Sequence, residues 1–269
     1  MKTFALATGS SGNCIYVEFE NFRALIDCGF SFSRTKEILE EKGIDIYSIT
    51  HIFITHEHTD HIQGLAMFVK NLMCEIYMSQ GTLNGLDFEV KNLNIVKNYD
   101  VLNFNNIRVL VVDKPHDANE AISFIFEATG KKLGIFTDLG HVTDQMLALM
   151  STLDLIYLEC NYSVEYIRNN CSDMSHHYLN RLMSNIGHLG LHQTIEAIEN
   201  FAKSDQIIIL SHISENTLSY EEAISSVYNK IIELGLDLEL EVSFQGEATD
   251  IFDLSFNKLY EERLLVNLN

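Results

Sequence analysis

Six consecutive positions, His56-Glu57-His58-Thr59-Asp60-His61, hold three histidines, a glutamate and an aspartate. No other stretch limits so sharply what the chain can fold into. Residues 48–55, just before it, are rich in β-branched and aromatic types and are expected to form a buried strand. In an extended chain, side chains at i, i+2 and i+4 point the same way. His56, His58 and Asp60 are therefore expected to project together as the strand runs out, with His61 out of phase. Leu65, Phe68, Val69 and Leu72 then recur at helical spacing, which predicts a helix starting near Asp60. The segment thus reads as strand, polar turn, helix. It is not the HExxH motif, whose histidines lie four apart on one helical face. Imidazoles and carboxylates at alternating spacing are the donors that first-row divalent metals take.

Such a turn needs a scaffold. The chain has 269 residues, 46% of them hydrophobic, and one proline, which is ample for a large core. Sheet-rich α/β proteins often reach this size as one unit, so a single domain over 1–269 is expected. No segment is apolar for long enough to span a membrane. The apolar run in residues 1–13 is too short for a secretory signal, which leads to an expected cytoplasmic location. Cys14, Cys28, Cys74, Cys160 and Cys171 make an odd count without a CxxC and read as reduced thiols. Strand-like runs come in groups, with helical patterns between them and more frequent later. That arrangement suggests two packed sheets with helices outside. Asn105-Asn106 is expected to turn a hairpin, Ser219 to Glu222 reads as a capping box, and GSSGN at 9–13 as a tight turn beneath the site.

The formal net charge is −20 and the pI about 4.8. Affinity for nucleic acid comes largely from Lys and Arg on phosphates, so long DNA is bound weakly unless the few cations gather at the site. Lys114, Arg168 and Arg181 are candidates, although each alone reads as ordinary surface charge. The acidic excess late in the chain reads as a solubilising surface.

Three further residues repeat one arrangement: a strand, then a metal-binding type of side chain, then a turn. His116 follows a strand ending near Val112, with Pro115 stiffening the backbone before it. Asp138 ends the apolar run LGIFTD, just before Gly140. His212 ends the run QIIILSH. Each is commonplace alone, as a turn histidine, a capping aspartate or a buried histidine. Together they follow HxHxDH in the order His, Asp, His.

With that order the chain resembles the metallo-β-lactamase fold superfamily over nearly its whole length. Asp27 in LIDCG matches the first family motif, His56, His58, Asp60 and His61 the second, His116 the third, Asp138 the fourth and His212 the fifth. The resemblance implies an α/β, four-layer αββα sandwich with the site at one edge. It implies two divalent metal ions, zinc or manganese with iron also reasonable. One ion would be held by His56, His58, His116 and Asp138, the other by Asp60, His61, Asp138 and His212, with Asp27 supporting the ligand turn from behind. GSSGNC, HDANE, TDLG, GHL and LSHIS are similar to words of the YycJ/WalJ-like group, a phosphodiesterase and nuclease branch. In that branch Glu159 and His188 match a pair acting near the leaving group, and Asp60 is a ligand that also handles a proton. The implied chemistry is attack on a phosphodiester, in DNA or RNA ends, by a hydroxide shared between two cations. His58 stands where redox di-iron relatives carry glutamate, which argues for a hydrolase. The chain departs from the pattern at Ala121, at Tyr162-Ser163 and at Gly190-Leu191, near the expected substrate side. A hydrolase of small substrates (cyclic nucleotides, small phosphodiesters, lactones or thioesters) is the alternative that the acidic charge favours. A non-catalytic interaction protein is disfavoured by the intact ligand set. No obligate protein partner and no membrane partner is expected.

Overall fold

The computed structural model describes residues 1–255; positions 256–269, which the expected domain includes, lie outside the described residues. Two seven-stranded sheets make up its centre. The first contains β1 (Lys2–Ala7), β2 (Cys14–Phe19), β3 (Phe22–Ile26), β4 (His51–Phe53), β5 (Glu75–Met78) and β6 (Leu93–Ile95), with β14 (Phe252–Asp253) beside β1. The second contains β7 (Val101–Phe104), β8 (Ile107–Asp113), β9 (Ile122–Ala128), β10 (Lys131–Phe136), β11 (Leu155–Glu159), β12 (Ile207–Ser211) and β13 (Glu239–Val242), in the order β7 to β13 across the sheet. Each sheet changes character midway. β1, β2 and β3 pair antiparallel and β3 to β6 parallel. Likewise β7 to β10 pair antiparallel and β10 to β13 parallel.

Alternation along the strands explains the layers. In β11, Leu155 and Tyr157 enter the core between the sheets, while Ile156 and Leu158 face the outer helices. Side chains of a strand alternate between its two faces, and a parallel region covered on both sides becomes apolar throughout. Phe53, Phe124 and Phe126 are fully buried between the sheets, with Phe53 edge-on to Phe124 at 5.1 Å and to Phe126 at 5.5 Å. Truncating such a ring costs about 3–5 kcal/mol. The first sheet is covered by α1 (Phe32–Glu41) and α3 (Leu65–Asn71), the second by α5 (Asp144–Met150), α8 (Leu191–Phe201) and α9 (Tyr220–Glu233). The result is the four-layer αββα order.

Local differences from expectation have local causes. The strand expected over 48–55 is only β4, because Asp45 caps a 3₁₀ turn at Ile46–Ser48. The expected helix is broken into α2 (Thr59–Ile62) and α3. Gly64 donates its N–H to the Cys28 carbonyl at 2.8 Å and packs so tightly on the Phe30 carbonyl that no Cβ fits. Ser219 caps α9 as expected, accepting from the Glu222 N–H. The Glu222 carboxylate instead accepts from Ser163 Oγ at 2.6 Å. Asn105, at φ 49°, turns the hairpin between β7 and β8. All five cysteines are buried and unpaired. Among the described residues, no helix is long and apolar enough to cross a membrane.

Candidate metal centre

The parallel strands of both sheets end at one edge of the sandwich. Asp27 follows β3, His56 lies just beyond β4, Asp138 follows β10, Glu159 ends β11 and His212 follows β12. In open α/β sheets the carboxyl ends of parallel strands form the natural site, since loops there converge on a rigid scaffold. Three of these residues, Asp27 (φ 63°), Asp138 (57°) and His212 (56°), are in the left-handed backbone region. Asp and His tolerate that region better than most types, but such conformations cluster where surrounding structure holds functional groups in place.

The ligand turn is clamped from behind. Asn13 N donates to the Asp60 carbonyl at 2.8 Å, and Cys28 N to the His61 carbonyl at 2.7 Å. Asn13 Nδ2 reaches Asp60 Oδ2 at 3.1 Å and lies 3.0 Å from His61 Nε2. A Cβ on Gly29 would strike the Asp60 carbonyl and the Asn13 amide, so only glycine lets these segments meet. The GSSGN turn is thus beneath the site. Asn13 itself is a contributor that the sequence reading did not single out.

Hydrogen bonds fix which nitrogen of each imidazole faces inward. Thr55 Oγ1 donates to Asp27 Oδ2 at 2.9 Å, so its oxygen accepts from His56 Nδ1, also at 2.9 Å. His61 Nδ1 donates to Asp27 Oδ2 at 2.7 Å, and His116 Nδ1 to the Gly187 carbonyl at 3.0 Å. His212 Nδ1 and His188 Nδ1 each donate to Glu159 Oε1 at 2.8 Å. With Nδ1 engaged as a donor, Nε2 is the nitrogen that each of these rings turns inward, the orientation typical of histidines on metals. His58 is the exception and presents Nδ1.

The cluster as it stands is not satisfied by its own atoms. His58 Nδ1 is 3.0 Å from His56 Nε2 and 3.2 Å from His116 Nε2. One proton on His58 Nδ1 can be aimed at only one of these two acceptors, and the other close contact is then left without a hydrogen bond. Tetrahedral bonds of about 2.0–2.1 Å imply ligand separations of about 3.3 Å, close to both distances. Asp138 Oδ2 and His212 Nε2 are buried without a hydrogen-bond partner, a costly state that a bound cation relieves. The residues present fit divalent metal. Ligand atoms of His56, His58 and His116 converge, as do those of His56, His61 and Asp138 and those of Asp60, His61 and His212. No cysteine joins these groups.

Electrostatics divide the cluster. Burial lowers the basicity of His56 strongly and that of His116 to about 4. Burial also acts against His61 and His212, but Asp138 outweighs it with help from Asp27 for His61 and from Asp60 and Glu159 for His212. Their basicities rise, to about 10 for His212. Burial alone would make Asp60, Asp138 and Glu159 weaker acids; the adjacent histidines reverse this and hold all three carboxylates ionised, Glu159 at about 2.

All ten residues singled out from the sequence lie in or beside this cluster. Glu159 and His188 are in direct contact, and Glu159 Oε2 also accepts from Leu139 N at 2.6 Å and Leu189 N at 3.2 Å. Lys114 requires a correction. It is buried, donates to the Thr137 carbonyl at 2.9 Å and stands 3.7 Å from Asp138 Oδ2, so it is not a surface cation. Its position beside His116 was the available signal. Asp117, 3.5 Å from His116 Nε2 and bound by Arg181, also escaped notice. His51, read as structural, is remote from the cluster and stacks on Phe22 at 4.4 Å.

Residues 23–213 match the family model of the beta-lactamase superfamily domain, and the chain belongs to that family. Its architecture is the metallo-β-lactamase fold. Over 254 residues it is 28% identical to exodeoxyribonuclease YycJ of Bacillus anthracis, covering 92% of this chain and 93% of the relative. Over 257 residues it is 26% identical to exodeoxyribonuclease WalJ of Streptococcus pneumoniae, covering 93% and 95%. The solved structure of Zn(2+)-bound PqqB from Methylobacterium extorquens superposes with a TM-score of 0.67 at 14% identity, covering 93% of this chain and all of that one.

Proposed function

We propose that this chain is a dinuclear metal-dependent phosphodiesterase acting as a nuclease on DNA or RNA ends. The observation that carries the reading is the Glu159–His188 pair beside a metal-fitting cluster. His188 is one-fifth exposed, its Nδ1 is engaged by Glu159, and its ring lies 5.3 Å from His116 and 5.2 Å from His212. A phosphodiester needs a proton on its departing oxygen, and a positioned imidazole supplies one. The near full-length similarity to two exodeoxyribonucleases supports the same reading.

His56, His58, His116 and Asp138 would hold one cation, and Asp60, His61, Asp138 and His212 the other. Zinc fits the nitrogen and carboxylate donors, and manganese or iron also suits them. Bound divalent cations polarise phosphoryl oxygens and make water acidic enough to act at neutral pH. The chain's own part is to orient and to move protons. Asp27 and Thr55 fix the His56 and His61 rings. Asp60, held ionised at the open side of the turn, takes a proton from the attacking water. His188 Nε2 delivers one to the leaving oxygen, with Glu159 stabilising the charged ring. Both sheets feed one site, which supports reading residues 1–269 as one domain, and a cytoplasmic setting suits reduced cysteines.

The test is an end-labelled linear DNA duplex with manganese-loaded protein, at low and moderate salt, against Asp60→Ala. Progressive shortening that vanishes in the variant is expected. No shortening by protein that holds two metals overturns the nuclease reading. The net charge of −20 favours, in that event, hydrolysis of small phosphodiesters.

A further inference from the structure

A nuclease with so acidic a chain must solve a local problem: where does a polyanion approach? The 38 acidic residues are spread along the sequence with one conspicuous gap. Residues 174–195 contain no aspartate or glutamate, the longest such stretch in the chain. They include α7 (His176–Leu182) and the loop to His188. This arm forms one wall of the metal centre. The Gly187 carbonyl accepts from His116 Nδ1, and His188 N donates to the Leu182 carbonyl at 2.9 Å.

Two side chains of α7 stand out for their chemistry and exposure. Tyr178 and Arg181 are three residues apart and so share a helix face. The charge of Arg181 opposes the rise that burial gives the Tyr178 phenol, as expected of neighbours. Tyr178 is 41% exposed. Arg181 donates Nε to Asp117, which itself lies against His116, while its side chain remains 56% exposed. A guanidinium anchored at Nε keeps its terminal nitrogens for another anion, and their planar fork matches phosphate. The hydrogen bond to Asp117 raises the basicity of Arg181, and Asp60 adds to it.

Resting on the phosphodiesterase reading, we infer that α7 is a single-strand subsite: Arg181 holds the phosphate next to the scissile one, and an unpaired base stacks on Tyr178. Aromatic faces accept any base, so the subsite reads strand form and not sequence. Asp117 is a positioning residue that aims Arg181. The acid-free arm removes the repulsion that the rest of the surface would impose on such a strand.

The experiment compares kcat/KM on oligothymidylate and on bis(p-nitrophenyl) phosphate for metal-loaded wild type, Tyr178→Ala, Tyr178→Phe and Arg181→Ala. Tyr178→Ala is expected to lower the oligothymidylate-to-small-diester ratio about tenfold, in line with the loss of one stacked base. Tyr178→Phe keeps the ring and is expected to keep the ratio. Arg181→Ala is expected to lower the ratio and to make the salt dependence shallower by about 0.7 in the log–log slope, one single-strand phosphate contact. Wild-type cleavage of oligothymidylate with ratios unchanged in both alanine variants overturns the subsite alone. A parallel fall on both substrates also overturns it, since that marks a structural role. Hydrolysis of the small diester without any cleavage of oligothymidylate by wild type overturns the subsite together with the nuclease reading.

Discussion

The two sheets build their halves of the centre in opposite ways. The first sheet supplies His56, His58, Asp60 and His61 from one turn after β4. The second supplies His116, Asp138, Glu159 and His212 from four separate strand ends. The turn is local and short, so it owes its shape to backing: Asn13 and Cys28 bond its backbone, and Asp27 orients two of its rings through Thr55 and directly. The other half owes its shape to register. Phe136 pairs with Leu158, Leu158 with Leu210, and Glu159 with Ser211. A slip of one residue would turn those ends to the opposite face. A clamped turn fails when its backing is lost, whereas a registered set fails when a shared hub is lost.

Asp138 is where the halves meet, and its loss should have the largest effect. Its Oδ2 is 3.4 Å from His61 Nε2, and its Oδ1 is 3.4 Å from His212 Nε2. Asp138→Ala is expected to reduce the proposed phosphodiester hydrolysis far beyond the roughly 10–100-fold that loss of an outer partner costs. Bound metal, measured by atomic emission, should fall with it. Retention of bound metal and of a tenth of the activity would mean that the halves work independently.

Glu159→Gln tests the registered half. One carboxylate here accepts four hydrogen bonds, two from histidines and two from backbone amides. An amide has a single oxygen, so either the histidines or the Leu139 and Leu189 N–H groups must face an NH₂. Where the NH₂ faces the histidines, His188 and His212 lose orientation together. A fall in kcat of about 100-fold is expected, of the order of one lost acid catalyst, and saturating metal should not restore it.

Asp27→Asn tests the clamped half and should be milder. Asp27 touches the turn only through Thr55 and His61. Metal affinity is expected to drop about 10–100-fold, with turnover recovering as metal is added. If excess metal rescues Glu159→Gln equally well, the contrast between backing and register is wrong.

The same contrast explains what could be read from sequence. His56 to His61 advertise themselves because the candidate ligands are adjacent and their spacing is that of a strand. His116, Asp138 and His212 are legible only because strand, ligand and turn recur three times. Glu159 and His188 rest on resemblance, since nothing in YLEC or IGHLG distinguishes a functional glutamate or histidine. Asn13 acts through contacts between distant segments, which no local pattern encodes, while the local signal for Lys114 and Asp117 is their place beside His116. The layers were legible from grouped apolar runs. Short elements were not: β7, α4 (Gln80–Asn84) and α6 (Val164–Asn170) are too brief to show a period.

The smallest expected effect concerns the seam between the sheets. His51, on β4, stacks on Phe22 and lies edge-on to Phe104 of the second sheet at 4.7 Å. Burial lowers its basicity to about 4, against about 6.5 in an unfolded chain. Between those values the unfolded chain binds more protons than the folded one, so stability falls as pH drops from 6.5 towards 4. Other buried histidines, His56 and His116 among them, add to the same trend, so the measurement is a difference. The melting temperature of metal-free wild type and His51→Phe, followed from pH 7 to pH 4, should decline more steeply for wild type. Parallel declines would mean that His51 takes up its proton in place, and that the seam is more open to water than the stacked rings imply.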